Sequence, residues 1–302
     1  MKLNQLRDVV AIAERGSLRA ASRQIGVAQP ALTRSIRELE RELGAALFER
    51  RTKGMVLTPV GQVFLRRARA ALGEIRRAEE EVDQIKGGTS GSVVAALSIV
   101  PHLAMLPRVL RRFRRRYPNV TLQIIEGVYP NVESQLRDGS IDFYVGPSSQ
   151  DALPPDLLEE PMSENPRLVM CRRDHPLAEA TSLADLTGAE WATTSITQNA
   201  EDELHDLFSG LGLPSPRLSV RTRSAMSLLI AVAYSDVLAM VPHQWTSFEL
   251  FRSGVRQIHV KEPLTAARIV AVRRAGMPLT PAAEHVLDLM RRQVAEAYTV
   301  DL

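Results

Sequence analysis

A chain of 302 residues, 45% hydrophobic and 24% charged, has the balance of an ordinary globular protein, and its length favours two or three domains over one. No run reaches the roughly 18 to 20 apolar residues of a membrane span, and the N-terminal MKLNQLRDVV lacks the apolar core of a signal peptide, so a cytoplasmic location is expected. The net charge of +3 hides an asymmetry: residues 1–60 carry eleven Lys and Arg against six Asp and Glu, which leaves −2 on the rest and concentrates positive field where a polyanion can be met.

The first segment reads as three short helices. LNQLRDVVAIAER places Leu3, Leu6, Val9, Val10 and Ala13 at helical spacing, and Gly16 ends it with Ser17 as the next N-cap. LRAASRQI carries Ala20 and Ala21, small enough for a close helix crossing, and Gly26 permits the turn. A third helix is expected from about Gln29 to Leu43, with Leu32, Ile36 and Leu39 inward and Thr33, Arg34 and Arg37 outward. ALFERRTKGMVLTPVG then reads as a hairpin: Leu47 and Phe48 dock inward, Lys53 and Gly54 form the tip, and Met55 to Leu57 return. Three helices and a basic hairpin make a winged helix-turn-helix, whose third helix enters the major groove while the wing follows the phosphates.

From Thr58, with Pro59 at the first helical position, a long helix follows. Phe64, Ala68, Ala71, Ile75, Ala78, Val82 and Ile85 recur at spacings of four and three, a heptad seam suited to pairing with a second chain. Gly87, Gly88, Ser90 and Gly91 form a joint. Beyond it strands alternate with helices, the pattern of an α/β domain. SVVAALSIV is expected as a strand, PHLAMLPRVLRRFRRRYP as one helix, VTLQIIEG as a strand, YPNVESQLRDGS as a helix and IDFYVG as a strand. A second run goes through RLVMCRRDHPLA, WATTS, the helix AEDELHDLFSGLGL, RLSVRT, the helix SAMSLLIAVAYSD and VLAMVP, and the chain closes on ARIVAVRRAG and a long helix. The arginines of RRFRRRYP spread around an amphipathic helix and read as a solvated face or a subunit contact.

The chemistry suggested by residue type is recognition. Near the start of the third helix, Arg34 suits guanine, Gln29 adenine, and the Thr33 methyl and Pro30 the thymine methyl, while Arg37 lies on the same outward side. Arg50, Arg51 and Lys53 suit phosphates. Two loops after strand ends, Ser98 to His102 and Thr193 to Thr197, point to a cleft between two lobes. His102 serves there either as a carboxylate ligand or as a helix cap. No G-x-S-x-G elbow, H-E-x-x-H, P-loop or G-x-G-x-x-G is present, and His102, His175, His205, His243, His259 and His285 lack metal-ligand spacing, so neither catalysis nor a metal is expected. Cys171, the lone cysteine, reads as a buried hydrophobe.

Taken together, LNQLRDVVAIAERGSLRAAS, IGVAQPALTRSIRELERELGAALFERRTKGMVLTPVGQ, LRDGSIDFYVG and RRDHPLA resemble the LysR-type transcriptional regulators of bacteria, over the whole chain. The resemblance implies a winged helix-turn-helix at 1–58, a linker and dimerisation helix with its hinge at 59–88, and an effector-binding domain at 89–302. That domain would comprise two Rossmann-like α/β lobes of periplasmic-binding-protein type, lobe I at 89–162 and 267–302 and lobe II at 163–266. It implies an effector in the cleft against Ser98, Val100, Pro101, His102, Pro147, Thr194, Ser195 and Pro242. The effector would be a small molecule, an anion or a sugar or aromatic acid, with no cofactor. Double-stranded DNA, a homodimer or homotetramer and RNA polymerase are the implied partners, and no membrane. Two stretches depart from the family's pattern: Ala28 stands where Ser usually caps the third helix, and AYSDVLAMVP carries Ser235 and Asp236 where glycine is common.

Overall fold

The computed structural model describes residues 1–51, 54–148, 152–194, 200–247, 254–264 and 267–300. It divides into two compact units, one made of Met1–Gly88 with Ser134–Ile141 and one of the remaining chain.

In the first unit, α1 (Leu3–Arg15), α2 (Leu18–Ile25) and α3 (Gln29–Leu43) are followed by an antiparallel hairpin of β1 (Phe48–Arg51) and β2 (Gly54–Leu57), and then by α4 (Pro59–Ile85). Each of the first three helices ends on a glycine in the left-handed region, Gly16, Gly26 and Gly44, where an L side chain is strained. Val9, Ile12, Ala21, Leu32, Ile36, Leu39 and Leu47 form the core, with Leu65 reaching in from α4. Each buried Val, Leu or Ile is worth about 1.5 to 3 kcal/mol, which fixes which face of every helix turns outward.

The hairpin is bolted at both ends. Met55 N–H donates to the Gly16 carbonyl at 2.7 Å, and a Cβ on Gly54 would lie 2.3 Å from that same oxygen, so only glycine fits. Thr58 Oγ1 accepts from Gly61 N–H at 2.9 Å as the α4 N-cap while its hydroxyl donates to the Ala46 carbonyl at 2.7 Å. A Cβ on Gly61 would lie 2.0 Å from the Leu47 carbonyl, so α4 begins in direct contact with the base of the wing.

This contact corrects the seam expected on α4. Ala68 is only 2% exposed and Phe64 packs half-buried on the winged-helix core. The first turns of α4 serve that core, and the outward face runs instead through Val60, Val63 (53% exposed), Ala71, Ile75, Ala78, Val82 and Ile85 (72%). Farther along, the Arg77 guanidinium, 5% exposed, donates to Glu74 and to the Gly139 carbonyl at 2.7 Å.

The second unit holds two five-stranded sheets. In the first, in the order β4-β3-β5-β12-β6, β3 (Ser90–Leu97) lies between β4 (Asn119–Glu126) and β5 (Phe143–Pro147), all parallel, while β12 (Ala267–Arg274) runs antiparallel beside β6 (Leu157–Asn165). α5 (Ile99–Ala104) and α6 (Leu106–Arg116) cross from β3 to β4, α7 (Glu133–Arg137) follows β4, and α10 (Pro281–Val300) covers the sheet. Val109 and Phe113 of α6 bury against Val286, Leu287 and Met290 of α10, leaving the α6 arginines exposed.

In the second sheet, in the order β11-β7-β10-β8-β9, β8 (Glu190–Thr194) is parallel to β9 (Arg217–Thr222) and to β10 (Val237–Pro242). β7 (Arg167–Arg172) is antiparallel to β10 and to β11 (Val255–Ile258). α9 (Ala225–Tyr234) packs on one face with Trp245, and α8 (Ala200–Gly210) on the other, where Phe208 meets Trp191 edge-on at 5.6 Å.

Three expected elements change at prolines. β3 ends at Leu97, because Pro101 is tolerated in a first helical turn and the helix starts at Ile99. The single helix expected from Pro101 breaks at Met105, since Pro107 has no N–H and its ring would clash one turn back. The helix expected over 129–140 shortens to Glu133–Arg137 after Pro130, and Gly139 turns the chain in the left-handed region. β6 and β11 were not anticipated. β6 reads LLEEPMSEN, a polar, proline-bearing edge strand with little hydrophobic pattern.

Candidate nucleic-acid interface and effector cleft

α3 is set by its buried side. Leu32, Ile36 and Leu39 are in the core, and Ser35 Oγ donates to the Asp8 carboxylate of α1, tying the two helices. Burial raises the Asp8 carboxyl above its ordinary range, and the Ser35 bond opposes that shift. Ala28 supplies no side-chain cap to α3. On the opposite side Gln29, Pro30, Arg34 and Arg37 are exposed and Thr33 half-exposed, with the Thr33 hydroxyl donating back to the Gln29 carbonyl at 2.9 Å.

Arg41, one turn beyond Arg37 and also exposed, joins this face, although sequence reasoning passed over it. The continuing i, i+4 arginine spacing was the available signal. From Pro30 to Arg41 the face spans about 17 Å of helix, comparable to roughly five base-pair steps. On the wing, Arg50 and Arg51 are exposed, with Arg51 beside Glu49 at 3.0 Å. Lys53, expected at the tip, lies outside the described residues.

In the second unit, β3, β4 and β5 of one sheet and β8 and β10 of the other end at one cavity of about 90 Å³. Ser98 follows β3, Glu126 ends β4 with Gly127 and Val128 beyond, and Pro147 ends β5; Thr194 ends β8 and Pro242 ends β10. Because β7 runs antiparallel, it contributes its first residue, Arg167, and the end of β6 contributes Asn165 across Pro166. The apolar walls are Ile99, Val100, Val128, Leu228, Met240, Val241 and Trp245.

Of the residues expected at the cleft, Ser98, Val100, Pro147, Thr194 and Pro242 line it, and Ser195 lies outside the described residues. Pro101 and His102 are corrections. The helix that starts at Ile99 turns Pro101 into buried packing and lets His102 Nδ1 bond the Ser98 carbonyl at 2.7 Å, one turn back. Arg167 was missed because a residue opening an antiparallel strand carries no strand-end signal, and Asn165 because it ends β6, whose polar sequence does not announce a strand. Asn-Pro-Arg between two strands was the only cue.

Among the described residues, the buried Ser98 Oγ, Asn165 Oδ1 and Arg167 Nε at this cavity have no hydrogen-bond partner. Ser98 and Asn165 are each 2% exposed. Leaving such a group unpaired costs about 1 to 3 kcal/mol, so polar atoms converging on one cavity point to a polar occupant. The Arg167 guanidinium forms an ion pair with Glu203 of α8 at 2.6 Å.

Cys171 is buried on β7, where desolvation pushes its thiol up to about 11, an environment that suppresses the reactive thiolate. Among the described residues, no His, Cys, Asp and Glu group is placed to hold a metal, and no helix is long and apolar enough to cross a membrane.

Comparison with known proteins finds a family match for each of the two regions that carry these candidate sites. Residues 3–62 match the bacterial regulatory helix-turn-helix protein of the lysR family, and residues 86–295 match the LysR substrate binding domain. The chain is 30% identical over 294 residues to the SDS degradation transcriptional activation protein of a Pseudomonas species, covering 95% of each. It is 26% identical to the HTH-type transcriptional regulator GalR of Pseudomonas putida, covering 97% of this chain and 74% of that protein. Its fold is similar to that of full-length CbnR complexed with its target DNA, with a TM-score of 0.73 at 22% identity over 97% of this chain and all of that one. The chain belongs to the LysR family of transcriptional regulators. It is a DNA-binding regulator with an effector-binding domain, and not an enzyme.

Proposed function

We propose that the protein recognises an interrupted palindrome as a dimer. In this reading Gln29, Pro30, Thr33, Arg34, Arg37 and Arg41 enter the major groove, with Arg50, Arg51 and Lys53 on the phosphates. The observation that carries it is the polar face of α3, whose exposed residues share one side of a helix held from behind by three core residues. A dimer must address half-sites one helical turn, or a multiple of it, apart. The outward stripe of α4 from Val60 to Ile85 supports pairing between chains, and a homotetramer follows if the effector domains associate as well. The protein would act in the cytoplasm and meet RNA polymerase at the promoter.

The effector, by this reading, occupies the cavity at Ser98, Pro147, Asn165, Arg167, Thr194 and Pro242, and acts by favouring one arrangement of the lobes. It shifts the equilibrium only as far as it binds one arrangement more tightly than the other. The classes implied by sequence, an anion, a sugar or an aromatic acid, differ first in charge, which the cleft must read through Arg167 and Glu126.

Selection of bound duplexes from a random-sequence pool at near-physiological salt tests the DNA half of the proposal. An interrupted palindrome is expected. Binding without any motif, lost as salt rises, would leave only phosphate contacts and refute the assignment of α3.

A further inference from the structure

The charge of the cleft separates the ligand classes. Resting on the reading that this cavity is the effector site, we propose that its effector is an uncharged, hydroxyl-bearing molecule and that Glu203 enforces this choice by neutralising Arg167.

The cavity offers a matched set of polar atoms without hydrogen-bond partners among the described residues: the Arg167 Nε–H donates, the Asn165 carbonyl oxygen accepts, and the Ser98 hydroxyl does either. A neutral ligand bearing hydroxyl groups can satisfy this set, accepting from Arg167 and Ser98 and donating a proton to Asn165. A carboxylate only accepts and leaves the Asn165 oxygen unfilled.

Charge favours the same ligand. Arg167 is the only cation among the described lining residues, and its guanidinium already lies 2.6 Å from Glu203, with Glu126 as a second carboxylate at the cavity. A carboxylate ligand would place a third negative charge beside a single positive one in a partly desolvated site, or would have to displace Glu203. α5 has six residues and offers no strong helix dipole in compensation, and at α9, whose first residue Ala225 lines the cavity, the Ser224 hydroxyl already caps the Ser227 N–H. The apolar walls accommodate a carbon skeleton, and at about 90 Å³ the cavity is smaller than the roughly 150 Å³ that holds one benzene, so a large ligand must part the lobes.

Full-length protein is titrated with acetate and with its neutral isostere acetamide, following binding by calorimetry and by the melting transition, in wild type, Glu203→Gln, Glu203→Ala and Arg167→Gln/Glu203→Gln. Wild type should bind acetate at least about tenfold more weakly than either single variant, and the double variant should lose the gain. The Glu203→Ala protein keeps this readable if Glu203→Gln folds poorly. A second titration pairs lactate with lactamide and propane-1,2-diol on wild type, where the neutral members should bind more tightly. Acetate binding in wild type as tight as in the single variants, no gain on removing Glu203, or a preference for lactate would each overturn the proposal. These titrations read only the chemistry of the cleft, so their failure leaves the regulatory reading standing. That reading fails separately if filling the cavity with Ser98→Leu leaves effector-dependent transcription unchanged.

Discussion

The proposed DNA-facing helix and the proposed effector cleft are built on opposite principles. All proposed base-reading residues lie within one helix, Gln29 to Arg41, and their grouping follows from a 3.6-residue period. The cleft gathers strand ends from Ser98 to Trp245, and their meeting depends on two sheets, one antiparallel strand and the crossing at Pro166. The first kind of site should fail one side chain at a time, and the second should fail with the core that aligns its strands.

The largest effect tests that contrast directly. Trp191→Ala, at the centre of the lobe that carries β8, should cost about 3 to 5 kcal/mol and abolish cleft binding through misplaced strand ends. Denaturant unfolding monitored alongside ligand binding measures it, and intact binding in a destabilised protein would break the comparison. On α3, Arg34→Ala should weaken the selected duplex by about 1 to 3 kcal/mol while leaving melting unchanged, which paired binding and calorimetric scans will show.

Thr58→Ala removes the α4 cap and the bond to Ala46, and should cost about 1 kcal/mol in unfolding experiments on the full chain. Smaller again, Arg50→Ala should weaken all duplexes alike and reduce the slope of log affinity against log salt by about 0.9, one phosphate contact. A sequence-dependent loss would move Arg50 from the phosphates to a base.

The smallest effect concerns pH. Burial raises the Asp8 carboxyl above 3.8 in the folded protein, so the native state holds its proton more firmly than the unfolded chain. That group therefore penalises stability once pH exceeds the raised value and relieves the penalty as pH falls from there towards 3.8. Asp8→Asn, which keeps an acceptor for Ser35, should raise the melting temperature slightly at neutral pH and remove this acid-side gain. An unaltered melting profile across that window would show that Asp8 does not titrate with folding.

How much of each region was legible follows from the same contrast. The three helices of the winged domain could be drawn to within a residue because their glycines, caps and apolar period are local signals, and Gln29, Pro30, Arg34 and Arg37 stand exposed and Thr33 half-exposed where the period placed them. Phe64 and Ala68 show where a period alone misleads. A heptad pattern says that a face is apolar without saying what covers it, and here the N-terminal core takes the first turns. His102 was misplaced by a helix starting two residues early, Arg167 was invisible because strand direction is not written in strand composition, and Asn165 because β6 carries little hydrophobic pattern.

By itself the sequence determined the helix-turn-helix order, the wing, the long helix, the alternation of strands and helices, and the concentration of positive charge at one end. Each depends on neighbours within a few turns, or on a sum over residues. Tertiary structure decided which face of α4 remained open, how Arg167 and Asn165 met Ser98 across two sheets, and that Glu203 neutralises the cation at the cleft. Those facts rest on contacts between residues far apart in the chain, which packing and strand direction fix and local preference does not.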